Sequence, residues 1–207
     1  MNVRPDKATL APLPTQQDRK FSVEEYLAFI DTRPDHERWQ LIDGGAMRIP
    51  HPTLRHQGIA SNLCYILMDH FRARHLPPLP IFRIGLIVPG AALFGPFGDV
   101  VVADDDVGKM DTAFVERFHL VAEVLSDGDM ENDIPVKLRH YVRHPQNLYV
   151  LLIEQDRARV DLRARAAGWA PVILEGHEAV LDLPEWGFRT PLAELYDGTG
   201  LGGTEDP

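Results

Sequence analysis

Two stretches of the chain, Asp99 to Val102 and Phe118 to Leu125, are close to continuously apolar, and each carries one carboxylic acid. Strands that alternate have one wet face, whereas near-continuous apolar runs belong to strands covered on both faces. A chain with two such strands is therefore expected to build a sheet with helices packed on either side of it. The acids add a second constraint. Ionised carboxylates in such strands cost several kcal/mol unless something pairs with them. Asp99 and Glu123 on neighbouring strands would also repel each other, which a hard, oxygen-seeking divalent cation answers for both at once. The simpler alternative for either acid is a strand-end residue that reaches water or caps a helix.

The rest of the chain supplies the covering elements. Ser22 and Glu25 form a capping box before a helix, with Phe21 and Tyr26 as its hydrophobic staple. Trp39 to Ile42 and Ala46 to Ile49 flank Asp43-Gly44-Gly45 and read as a hairpin. Ile59, Leu63, Ile66, Leu67 and Phe71 recur at helical spacing within Thr53 to His75, before Pro77, Pro78 and Pro80. A further strand is expected over Ile81 to Val88 and a helix over Asp133 to Arg143, with Pro135 in its first turn. Leu148 to Glu154 and Ala158 to Ala164 read as a second hairpin. Shorter strand signals at Pro171 to Leu174 and Ala179 to Leu181 precede a short helix near Pro191 to Tyr196. The expected class is α/β (α+β), a mixed central sheet flanked by helices. At 207 residues this is one domain, over 19–197, between a flexible arm at 1–18 and a flexible tail at 198–207.

The helix that follows the Glu123 strand holds Asp133 and Lys137 four residues apart, with Tyr141 one turn further. An ammonium beside two metal-binding carboxylates is the set of groups that metal-assisted phosphate hydrolysis uses. A plain Asp133–Lys137 ion pair along the helix is the competing reading.

Taken in order, Phe-Ser-Val-Glu-Glu-Tyr-Leu, Trp-Gln-Leu-Ile-Asp-Gly-Gly, His56, Gly-Asp-Val-Val-Val, Ala-Glu-Val-Leu-Ser and then Asp133, Lys137 and Tyr141 resemble the Uma-two family of restriction-endonuclease-like proteins. That family belongs to the PD-(D/E)xK nuclease superfamily, and the likeness runs from about Phe21 to Tyr196. It implies a restriction-endonuclease-like core and a Mg²⁺-dependent DNA endonuclease, with Mn²⁺ as a substitute metal. By the same resemblance Asp99 and Glu123 are the metal ligands and Lys137 assists catalysis from the helix. The superfamily's usual lysine position, two after the Glu, is Leu125. Gln40 stands where the family's hairpin strand usually carries a Glu, and Gly98 where a Pro precedes the Asp. Gln40 offers an amide oxygen but no charge, so it enters as an orienting group, with Asp133 beside it. His56 and Tyr141 are assigned to substrate contact. The alternative is a nuclease-derived binding domain whose site has decayed at Gln40, and a weaker one is a hydrolase of smaller phosphate esters.

Other chemistries lack their motifs. There is no Gly-x-Ser-x-Gly elbow among only three serines, Ser22, Ser61 and Ser126, and no phosphate-cradling or dinucleotide loop. His140 and His144 have helical spacing, but no His-Glu-x-x-His pattern or cysteine pair accompanies them. The single cysteine, Cys64, cannot form an internal disulfide and suits a reducing cytoplasm, where it reads as a small core residue. No apolar run approaches the ~18 residues of a membrane span. Arg157, Arg159, Arg163 and Arg165 share one strand face, either as a solvated face or as a phosphate-tracking stripe. The net charge of −10 argues against bulk electrostatic capture of nucleic acid. Its distribution weakens that objection, because Asp99 to Asp133 holds eleven acids against Lys109 and Arg117. A homodimer, with one site for each DNA strand, is the expected assembly.

Overall fold

A computed structural model describes residues 20–34, 36–104, 111–126 and 133–201. The arm expected at 1–18 lies outside these residues, as do 202–207 of the expected tail and Asp105, Asp106, Asp127, Asp129 and Glu131 of the acidic segment.

The two apolar runs become the centre of a seven-stranded mixed sheet. Its strands are β3 (Leu79–Leu86), β4 (Phe97–Ala103), β5 (Phe114–Val115), β6 (Phe118–Leu125), β7 (Tyr149–Glu154), β8 (Arg159–Ala164) and β9 (Pro171–Glu175), in the spatial order β5-β3-β4-β6-β7-β8-β9. Neighbours run antiparallel except β3 with β5 and β6 with β7. A parallel pair needs a crossover, and helix α3 (Ile134–Tyr141) lies in the one between β6 and β7.

Both faces of the central strands are covered, and alternate residues sort between them. Val100, Val102, Leu120, Ala122 and Val124 pack with Ile59, Leu63 and Leu67 of α2 (Leu54–Ala73). The same cluster takes in Leu181 of β10 (Val180–Leu183), Phe188 of β11 (Phe188–Pro191) and Leu192 and Leu195 of α4 (Leu192–Leu195). On the opposite face Val101, Val121 and Leu152 pack with Phe94 and with Ile134 and Tyr141 of α3. A third, smaller cluster joins Tyr26 of α1 (Val23–Ile30) to Leu41 of β1 (Trp39–Ile42), which pairs with β2 (Gly45–Arg48).

Local signals account for the helix starts. Ser22 accepts from the Glu25 N–H while Glu25 accepts from the Ser22 N–H, the reciprocal cap its sequence announces. Thr53 caps α2 through the His56 N–H. Cys64 is half-buried against the α2-side cluster.

The differences from the sequence reading have physical causes. Strand β3 begins at Leu79, so Pro80 lies inside it, opposite Val102. Its partner on the other side reaches only Gly85 and Leu86, so at Pro80 the strand is an edge and a missing N–H costs nothing. Strand β5 carries too few residues to show a period and exists only through long-range pairing with β3, whereas β11 is the short second arm of a hairpin with β10. Residues 198–201, read as tail, are tied down among the described residues. The Arg55 guanidinium donates to the Thr199 carbonyl at 3.2 Å, His177 hydrogen-bonds the Leu201 carbonyl, and Leu201 packs on the core.

Gly85 carries a packing constraint, because a Cβ there would lie 2.3 Å from the Phe114 ring that faces it across the β3–β5 pair. Gly85→Ala should lower stability by about 1–3 kcal/mol, as overpacking does, measured by urea denaturation.

Candidate active site

Where β4 and β6 stop pairing, at Val100 opposite Ala122, the next residues outward are Asp99 and Glu123. Without a ladder partner there, the Val124 N–H donates instead to Asp99 Oδ2 at 2.9 Å. This holds the two acids on adjacent strands at the same level of the sheet.

Glu123 is 5 % exposed and both of its oxygens are engaged by α3. Lys137 Nζ donates to Oε2 at 3.0 Å and the Tyr141 hydroxyl donates to Oε1 at 2.6 Å. Lys137 and Tyr141 are themselves buried, so no water stands in for either partner. Lys137 thus bonds across to the sheet rather than back along its helix to Asp133. That carboxylate instead accepts from Gln40 Nε2 at 2.9 Å. Gln40 therefore orients Asp133, at the first turn of α3, rather than touching either strand acid directly.

Around Asp99, His56 Nε2 lies 3.1 Å from Oδ1 without hydrogen-bond alignment, which makes it a buried nitrogen with no hydrogen-bond partner. Arg83 Nε is 4.0 Å from the same oxygen. Arg83 also holds a left-handed backbone at φ 52°, between the Phe82–Val100 and Ile84–Gly98 pairs. A non-glycine residue in that region is strained by about 1–3 kcal/mol. Nothing in the sequence marked Arg83, because its nearness to Asp99 depends on the long-range pairing of β3 with β4.

The electrostatics separate the two acids. Burial raises the Glu123 carboxyl, Lys137 opposes this and Asp99 adds to it, and the result is pushed up to about 7. Burial also raises Asp99, but the His56 ring, the Val124 N–H and Lys137 outweigh it and leave Asp99 below its usual value. Lys137 is pulled down by burial and pulled up more strongly by Glu123, Asp99 and Asp133, so it stays protonated. Two hard oxygen donors on adjacent strands, one of which makes the other harder to ionise, beside a buried nitrogen lacking a hydrogen-bond partner, fit a magnesium ion. This metal is usually held by one or two carboxylates plus substrate phosphates rather than by a full protein cage. Among the described residues no group of three or more His, Cys, Asp or Glu converges as a complete cage.

Other residues weighed from the sequence are placed elsewhere. His140 stacks on Phe94 and His144 on Phe118, with His144 Nε2 hydrogen-bonded to the Glu116 carbonyl. The arginine stripe is engaged by internal partners, although Arg163 Nε is buried without one. Arg157 and Arg159 pair with Glu154, Arg163 pairs with Asp161, and Arg165 donates to the carbonyls of His144 and Asn147. Their partners lie at the end of β7, on β8 itself and in the segment between α3 and β7.

Comparison with known proteins agrees with this architecture. The profile of a family described as Uma2, putative restriction endonuclease, matches residues 23–193. Among solved structures, a crystal structure of a putative nuclease from Anabaena variabilis is similar, with a TM-score of 0.70 at 13% identity. The match covers 86% of this chain and 99% of that one. No curated protein matches.

Removing Lys137 strands a buried carboxylate. Lys137→Ala should cost about 3 kcal/mol at pH 8, a fall in Tm of roughly 6–12 °C for a chain of this size. At pH 5 the Glu123 carboxyl takes a proton and the loss should shrink. Thermal denaturation at the two pH values checks this.

Proposed function

The chain belongs to the Uma2 family, and from that membership we propose that it is a magnesium-dependent endonuclease hydrolysing DNA phosphodiester bonds, with Asp99 and Glu123 holding the metal. The observation that carries the reading is that Asp99, Glu123 and Lys137, from three different elements, meet at the point where β4 and β6 separate.

Bound there, magnesium supplies Lewis-acid activation of water and of the phosphodiester. Asp99, the acid kept ionised in the folded protein, and Glu123 would hold the ion. Lys137, bonded to Glu123, would orient the attacking water and stabilise negative charge as it develops on the phosphate. Tyr141, 1 % exposed, acts by fixing Glu123 and has no surface for DNA. His56, beside Asp99, is placed to handle a proton or contact the substrate. Gln40 and Asp133 hold the start of α3, and through it the height of Lys137 above the sheet. A homodimer, one site per strand, completes the proposal, and manganese is its substitute metal.

A binding domain with a decayed site remains the second reading. It is favoured by one observation, that both Glu123 oxygens are already satisfied by protein groups.

With supercoiled and linear DNA as substrates, Mg²⁺-dependent nicking or cutting should be present in the wild type and lost in Asp99→Asn. Magnesium bound without cleavage by any substrate would favour the decayed-site reading. Cleavage that survives in Asp99→Asn would overturn the metal assignment. Magnesium affinity should also depend on pH, because a protonated Glu123 cannot act as a ligand. Below pH 7 the affinity should weaken by about tenfold per pH unit and above pH 8 it should level off, as read by calorimetric titration. The dependence should flatten in Glu123→Gln.

A further inference from the structure

Arg83 connects the acid site to a cleft of about 300 Å³ that lies between α1, β1 and the β3–β4 pair. That volume is at the lower limit of ligand sites, enough for one nucleotide and far too small for a double helix. Its walls carry two kinds of chemistry. Arg33, Arg38 and Arg83 supply positive charge, and Trp39, Phe82 and Phe97 supply aromatic surface. In a chain with net charge −10 this is a local reversal. Among the described residues the only acid on the walls, Glu37, accepts from the Trp39 indole N–H at 3.0 Å.

Arg33 and Arg38 have no carboxylate partner among the described residues, and Arg83 meets Asp99 only through Nε at 4.0 Å. Among the described residues the Arg38 side chain makes no ion pair or hydrogen bond, and it is exposed. Arg33 rests over the Phe29 ring at 4.7 Å and reaches Thr32, with no carboxylate partner among the described residues. Arg83 is the most demanding, since its side chain is 12% exposed and its Nη1 is buried with no hydrogen-bond partner. A buried donor without an acceptor costs about 1–3 kcal/mol, and here it is combined with a strained backbone. A bound anion would give the buried donor its acceptor. Guanidinium groups match phosphate geometry, and exposed aromatic rings beside them are how proteins hold unstacked bases.

We propose that this cleft receives one unstacked nucleotide of the DNA strand next to the scissile phosphodiester, with the arginines on its phosphate and Trp39 and Phe82 against its base. The inference rests on the nuclease reading and gives it a substrate preference, for DNA with unpaired nucleotides over fully paired duplex.

Binding can be measured apart from cleavage, in the presence of a chelator, with three short probes. These are an oligothymidine single strand, a fully paired duplex, and the same duplex with one bulged thymidine. The single strand and the bulged duplex should quench tryptophan emission, the paired duplex should not, and Trp39→Phe should abolish the quench. Phe82 is 38% exposed, so Phe82→Ala should fold normally, and it should weaken single-strand binding on the order of tenfold. Arg38→Ala should weaken it and lower the slope of log affinity against log salt by about 0.7. Quenching by paired duplex as strong as by single strand, or wild-type affinity in both Phe82→Ala and Arg38→Ala, overturns the proposal. The two readings fail separately. Selective binding of unpaired DNA without any Mg²⁺-dependent cleavage would sink the nuclease and leave the cleft. Cleavage of paired duplex that is unaffected in Phe82→Ala and Arg38→Ala would sink the cleft and leave the nuclease.

Discussion

The structure turns on one buried charge. Glu123 sits in a strand whose other positions are almost all buried, and its carboxylate is tolerable only because α3 presents Lys137 and Tyr141 to its two oxygens. An ion pair so placed is weak evidence for stability, since apolar residues of similar volume often do as well. Its value lies in fixing geometry. The pair sets where α3 rests on the sheet, and the Gln40–Asp133 bond sets the same helix from its other end. The sheet, the hairpin and the crossover helix therefore meet at the two acids. This ties the chemistry to the fold's most rigid part rather than to a loop.

The same point explains why neither acid is ordinary. Asp99 is embedded among groups that favour its charge, and Glu123 among groups that oppose one another. Two carboxylates separated in this manner by their surroundings can take different roles in one site.

Much of this was legible in the residues themselves. The run Phe118–Leu125 forms a strand with the boundaries its apolar pattern gives, and the Ser22–Glu25 reciprocal cap is present as spelled. Asp99, Glu123 and Lys137 meet as family likeness and cost of burial together implied. What was not legible depends on pairing between distant segments. The intrahelical Asp133–Lys137 pair looked plausible from spacing, but spacing cannot show that a buried carboxylate across the sheet competes for the same ammonium. The arginine stripe looked free because Glu154, which pairs with Arg157 and Arg159, comes from the neighbouring strand β7. Arg83 was invisible, since only the pairing of β3 with β4 brings it near Asp99.

The bonds that hold residues 198–201 have a consequence beyond tidiness. Arg55 grips the Thr199 carbonyl, a Cβ on Gly58 would touch the Thr199 methyl at 3.3 Å, and His56 lies between them in sequence. The first turn of α2, which presents His56 to Asp99, is thus clamped by the last stretch of the described chain. Sequence positions some 140 residues apart act as a single mechanical joint. A cut or fusion just after α4 would loosen that joint, and the slack would be felt at the acid site before it was felt in the core.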